Sequence, residues 1–129
     1  MKKFALMFVC ACLMTLGVSS ASAQNAQKKQ NTAPKTVIHV VTVSWKEGAT
    51  PAQIQGALDA VKKLPEQYQG ISRVWTRTIK AQGDRSHAIV MEFRNEQALK
   101  DYTDSDAQKE WYKAYIPVRE RSTTFDITN

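Results

Sequence analysis

The chain has 129 residues, 43% of them hydrophobic, with 18 lysines and arginines against 12 acidic residues and a formal net charge of +6. That is enough chain for one compact domain. The basic residues are scattered apart from Lys28-Lys29 and Lys62-Lys63, which is not the one-sided stripe that nucleic-acid binding requires.

The first residues read as a secretory leader. Lys2 and Lys3 give a basic start, Phe4 to Val18 is apolar, and Ala21-Ser22-Ala23 supplies the small-x-small pattern of a signal peptidase site. The apolar run is about 15 residues, short of the roughly 20 needed to span a bilayer. Residues 1–23 are therefore expected to be removed, sending the mature chain to the bacterial periplasm or beyond with no stable membrane insertion. Cys12 is a poor lipoprotein site, because the apolar run continues past it. Cys10 and Cys12 both fall in the leader, so the mature chain forms no disulfide. Removing Lys2 and Lys3 from the 18 basic residues leaves 16 against 12 acidic ones, a net of +4 that serves mainly solubility.

Residues 24–35 (QNAQKKQNTAPK) are polar and aperiodic and read as a flexible spacer; the folded domain is expected over 36–129. Val37 to Trp45 alternates as a strand, placing Val37, His39, Val41, Val43 and Trp45 on one face. Thr50, Pro51 and Gln53 form the start of a helix, an N-cap with its capping box and a proline at the first position. Ile54, Leu58, Val61 and Leu64 make its buried stripe, and Pro65 marks its end. Ile71 to Ile79 is a second strand with Ile71, Arg73, Trp75, Arg77 and Ile79 on one side. Gln82-Gly83-Asp84 turns into a third strand, His87 to Arg94. Asn95 caps a short helix carrying Ala98, Leu99 and Tyr102. Ser105 and Gln108 form a second capping box, opening a helix that buries Ala107, Trp111 and Tyr115. Pro117 ends that helix, and Ser122 to Thr128 is the last strand.

The order β-α-β-β-α-β predicts an α+β sandwich, with the first and third strands side by side and parallel at the sheet centre. That pairing makes His39 and His87, the only histidines, near neighbours. It leaves one sheet face uncovered, with Val41, Val43 and Trp45 on one strand and Ile89, Met91 and Phe93 on another assigned to it. A surface so apolar calls for a second copy of the sheet, hence a homodimer. Imidazole titrates nearest neutrality of all side chains, so the two histidines are the natural place for ligand or proton chemistry. A metal site is not expected: Glu92 points to the strand face opposite His87, and the mature chain has no cysteine.

In their order, several segments resemble the stress-responsive α/β-barrel family, dimeric barrels of ferredoxin-like fold. These are Ile38-His39-Val40-Val41, Trp45-Lys46-Glu47-Gly48, Leu64-Pro65, Gly70-Ile71, Ser86 to Phe93, Ala98-Leu99-Lys100-Asp101-Tyr102 and Phe125-Asp126. The resemblance covers residues 37–128 and implies a ferredoxin-like dimeric α/β barrel. A plant relative, olivetolic acid cyclase, closes a polyketide ring with a tyrosine and a histidine in its cavity. The resemblance matches Tyr102 to that tyrosine, whereas Gln108 stands where the histidine belongs. An amide cannot act as the general base of cyclisation, so no residue is assigned a catalytic role. The expected pocket consists of His39, Val41, His87, Tyr102 and Gln108, between the sheet and the helix that begins near Ser105. It would take a small apolar or aromatic ligand, with no cofactor and no metal. The alternatives are a cofactor-independent enzyme, cyclase- or monooxygenase-like, and a purely structural stress-stability protein.

Overall fold

The computed structural model describes residues 35–80 and 83–128. The expected leader, its cleavage site and all but the last residue of the spacer lie outside them, as does Gln82 of the turn.

Strand β1 runs Val37–Trp45. Helix α1 follows at Pro51–Lys62 and opens with the expected reciprocal cap. The Thr50 hydroxyl accepts from the Gln53 amide at 3.2 Å, and the Gln53 side-chain carbonyl accepts from the Thr50 amide at 2.9 Å. Such a cap contributes about 1 kcal/mol. The helix does not continue to Leu64. It stops at Lys62, and a separate turn of helix, α2 (Leu64–Gln67), holds Pro65 in its first turn, where the missing N–H needs no acceptor.

Strands β2 (Ile71–Thr78) and β3 (His87–Phe93) come next. Helix α3 (Glu96–Tyr102) is capped by Asn95, whose side-chain oxygen accepts from the Ala98 amide at 2.8 Å. Helix α4 (Asp106–Tyr115) is capped by the Ser105 hydroxyl, which accepts from the Gln108 amide at 3.2 Å. Strand β4 runs Arg119–Ile127, starting three residues before the expected Ser122.

The sheet order is β2-β3-β1-β4, so β1 and β3 are central neighbours as expected, but every pair is antiparallel. The crossover rule acts on β1 and β2, which α1 and α2 connect, and it makes those two run the same way. The β2–β3 connection then reverses the chain and inserts β3 between them, necessarily opposed to β1. The arrangement is the ferredoxin-like α+β fold.

The antiparallel register pairs Val37 with Phe93, His39 with Met91, Val41 with Ile89 and Val43 with His87. This row faces the helices. Val37, Val41, Val43, Ile89, Met91 and Phe93 are all buried in one core with Leu58, Val61, Leu64, Trp111, Tyr115 and Tyr102. Of these, Val41, Val43, Ile89, Met91 and Phe93 were expected on the uncovered face. Alternation separates two faces but does not say which one meets the helices. Trp111 stacks on Tyr115 at 4.5 Å between ring centres and donates its indole N–H to the Ala57 carbonyl at 3.2 Å, tying α4 to α1.

The face turned away from the helices carries a different apolar row. Trp75 pairs with Val90, Val90 with Val40, and Val40 with Phe125, giving four apolar side chains across four strands. Ile38 and Ile127 pair beside them, and Phe125 and Ile127 are 54% and 59% exposed. Glu92 lies on this face, opposite His87 as expected. It is buried at 8% exposure, and its carboxylate accepts from the Thr36 hydroxyl at 2.6 Å and from Arg73. Those hydrogen bonds, Thr36's first, hold its carboxyl below the ordinary value against the opposing effect of burial.

Two irregularities aim side chains that plain alternation misplaces. A shift between Ile71 and Arg73 leaves Ser72 without a cross-strand partner, so Ile71 turns into the core while Arg73 and Trp75 face away from the helices. A second shift, between the pairs of Ser44 and Trp45, leaves Glu120 unpaired and sends Arg119 and Arg121 to opposite faces.

Phe93 is fully buried, with its ring 5.3 Å from Tyr102 and 5.8 Å from His39. Phe93→Ala is expected to cost about 3 kcal/mol of unfolding free energy or more, measured by urea denaturation at fixed protein concentration.

Candidate functional site

Antiparallel pairing decides where the chemistry lies. His87 stands opposite Val43, and His39 is four residues away along β1, about 13 Å of strand. Both imidazoles are on the helix-facing side, but at opposite ends. The near-neighbour placement expected from parallel strands is thus corrected to two separate environments.

At one end, His39 Nδ1 lies 2.6 Å from an Asp126 carboxylate oxygen, because β4 pairs Asp126 directly opposite His39. The carboxylate only accepts, so Nδ1 carries a proton and donates it to Asp126. The His39 ring meets Phe93 edge-on, and Phe93 in turn packs on Tyr102. Tyr102 is 2% exposed, and its hydroxyl is buried without a hydrogen-bond partner among the described residues. Burial pushes its phenol far above the ordinary value. Tyr68 packs beside it at 5.6 Å and satisfies its own hydroxyl by donating to the Ala98 carbonyl at 2.7 Å. Tyr102 is thus the aromatic core residue its helical position predicts, with one unsatisfied polar atom.

At the other end, the Trp45 indole N–H donates to His87 Nδ1 at 2.9 Å, and Ser86 Oγ is also 2.9 Å from that nitrogen. An indole can only donate, so His87 Nδ1 is unprotonated and the ring is the neutral Nε2–H tautomer. Burial holds its pKa below 6.5. Trp45 also meets the Tyr115 ring edge-on at 6.2 Å.

Val41 lies between the two ends on the same face, buried in the core. Gln108 does not close the expected capping box with the Ser105 amide: its side-chain carbonyl accepts instead from the Asp104 amide at 2.8 Å, at a residue held at φ 64°. Among the described residues no three histidine, cysteine or acidic side chains converge as metal ligands, and no helix is long and apolar enough to cross a membrane. A hollow of about 450 Å³ lies on the outside between α1 and α4, edged by Gly56, Lys63 and Glu110, and contains none of the expected site residues.

Asp126 is the polar partner of His39 that sequence reasoning passed over. Its signal was available, since Phe125-Asp126 falls opposite Val40-His39 once β4 is known to flank β1. The Trp45–His87 hydrogen bond had a weaker signal, the placement of both residues on one strand face.

This geometry can be set against known proteins. The model of the stress responsive A/B barrel domain family, Dabb, matches residues 37–129. The chain belongs to this family. Solved structures sharing its fold include a dimeric ferredoxin-like protein of unknown function from Thermobifida fusca, with 18% identity and a TM-score of 0.63 over 73% of this chain and 91% of that one. A hydroxynitrile lyase from Passiflora edulis matches with 17% identity and a TM-score of 0.65, over 74% and 94% of the two chains. SnoaB, a cofactor-independent oxygenase from Streptomyces nogalater, matches with 12% identity and a TM-score of 0.60, over 74% and 94%. No curated protein matches the chain. These likenesses establish the Dabb fold, and the dimeric state described for the Thermobifida protein recurs among its neighbours.

Because its folded pKa lies below the unfolded value of 6.5, His87 makes the unfolded chain bind more protons in the window just under pH 6.5. Its neutral-ring stabilisation is therefore complete above pH 6.5 and declines as pH falls through that window. Nitrogen-15 NMR of the imidazole at pH 7 is expected to show the Nε2–H tautomer, with protonation only at lower pH.

Proposed function

We propose that this Dabb protein is exported and acts as a homodimer that binds a small apolar or aromatic ligand carrying one polar group. The ligand lies on the helix-facing side of the sheet at its His39–Asp126–Tyr102 end. The observation that carries this reading is the Tyr102 hydroxyl, buried without a partner beside Phe93 and Tyr68. An unsatisfied buried hydroxyl costs about 1–3 kcal/mol, which a ligand's polar atom would recover. His39, oriented by Asp126, offers a second polar contact at the same ring of Phe93. Polar groups converging within an apolar enclosure are what orient a bound molecule. With the Gln108 side-chain carbonyl engaged by the Asp104 amide, the reading is binding without polyketide ring closure.

The carboxylate-held His39 favours a second reading, cofactor-independent proton transfer with Nε2 as the base. The lyase and the oxygenase that share the fold make it worth testing. Turnover lost in both His39→Ala and Asp126→Asn would support it.

Pairing of two copies is supported by the apolar row Trp75, Val90, Val40 and Phe125 across the face away from the helices, and by the dimeric neighbours. Phe125→Glu is expected to shift the light-scattering mass of the purified protein from twice the chain mass to once. A monomeric unmodified protein would reject the pairing. Export predicts that native protein begins at Gln24 by mass spectrometry.

The binding reading is tested with 1-naphthol, a neutral aromatic with one hydroxyl, followed by its fluorescence. Saturable binding is expected, weakened roughly five- to tenfold by either His39→Ala or Tyr102→Phe. Naphthol affinity unchanged in both variants, or absent from the unmodified protein, would remove this pocket.

A further inference from the structure

Four buried side-chain atoms lack partners among the described residues: Arg85 Nε, Tyr102 Oη, Tyr115 Oη and Arg119 Nε. Arg85 has its charge met by Asp84, with Thr123 Oγ1 accepting at 3.1 Å. Arg119 does not. Among the described residues it joins no ion pair, and its one side-chain hydrogen bond is a long one, 3.4 Å to Ser122 Oγ. Its guanidinium sits 5.6 Å from the centre of the Tyr115 ring. The Glu120 bulge is what turns it to this side, beside Trp45 and away from Arg121 and its Asp84 partner.

A partly buried guanidinium without an acid is an incomplete arrangement, since charges leaving water need both a counter-charge and hydrogen bonds. Tyr115 is 2% exposed, and burial raises its phenol above the ordinary value, so at neutral pH its hydroxyl carries a proton to donate. The Tyr115 hydroxyl lies beside Arg119 and Ser122, and among the described residues neither gives the guanidinium a counter-charge. The surroundings are aromatic, with Trp45, Trp111 and Tyr112 each packed against Tyr115.

We propose that Arg119 and Tyr115 form a carboxylate-binding subsite at the His87 end of the helix-facing interior, selecting small aromatic or apolar organic acids. The planar guanidinium fork matches a carboxylate edge-on, the Tyr115 hydroxyl adds a third donor, and the indole and phenol rings take the apolar body. His87, whose Nδ1 accepts from the Trp45 indole and whose pKa burial lowers, adds no competing charge. The proposal rests on the reading of this interior as ligand-binding and names the charged group that such a ligand carries.

Benzoate, benzamide and inorganic phosphate, each titrated into the purified protein and followed by NMR of the indole N–H resonances, test it. Benzoate is expected to bind saturably and at least roughly tenfold more tightly than benzamide, which has the same shape without the charge. Arg119→Met is expected to erase that preference. Tyr115→Phe, which removes one unsatisfied oxygen and so keeps or raises the melting temperature, is expected to weaken benzoate about fivefold or more; this variant carries the test if Arg119→Met does not fold. Equal affinity for benzoate and benzamide, phosphate competing as well as benzoate, or an unchanged preference in the variants would overturn the subsite. If 1-naphthol still binds while benzoate does not, the subsite alone fails; if neither binds, the ligand-binding reading fails with it.

Discussion

Four cross-strand pairs between β1 and β3, Val37–Phe93, His39–Met91, Val41–Ile89 and Val43–His87, set the frame on which the rest of the molecule hangs. They put six apolar side chains and both histidines on the side covered by the helices. A slip of one residue would exchange that set for Ile38, Val40, Thr42, Ala88, Val90 and Glu92, which could not seat Trp111, Tyr115 and Tyr102. Because the pairing is antiparallel, the same register separates the imidazoles. One takes a carboxylate from β4 and the other an indole N–H from its neighbour on β1. Two histidines at matching strand positions therefore have opposite roles, His39 with a proton fixed on Nδ1 and His87 with none there.

Much of this was legible where the determining forces are local. Thr50, Asn95 and Ser105 cap the helices they were expected to cap, since a cap depends only on a side chain and an amide three residues on. Trp111, Tyr115 and Tyr102 were readable as core from helical spacing, and the adjacency of β1 and β3 from the order of elements. What was not legible is non-local. Strand direction follows from which strand the β2–β3 connection inserts beside β1, and the identity of the covered face from where α1 and α4 come to rest. Neither is written in the alternation of a single strand.

The bulges at Ser72 and Glu120 are the sharpest case. Each adds one residue to one strand, and each reverses the facing of everything beyond it. Reading Ile71, Arg73 and Trp75 as one face merges a core residue with two that face away from the helices. Reading Arg119 with Arg121 would make both surface arginines. Instead Arg121 pairs with Asp84 on one side while Arg119 is delivered, unpaired, to the aromatic cluster on the other. A bulge costs ladder hydrogen bonds, and re-aiming a guanidinium toward the interior adds a desolvation penalty. Such a combination is stable only where the surrounding structure, or a ligand, compensates for it.

The helix-facing interior thus has two polar ends joined by an apolar middle. Val41, Val43, Ile89 and Met91 occupy the middle and leave no unsatisfied atom. Among the described residues of this interior, buried polar atoms without a partner lie at its ends, at Tyr102 beside the Asp126-held His39 and at Tyr115 and Arg119. Gln108, expected in the pocket, instead has its side-chain carbonyl bound to the Asp104 amide just before α4. Packing alone explains the middle. It does not account for the buried hydroxyls at the two ends, and an acceptor from outside the chain is what the proposed ligand would add there.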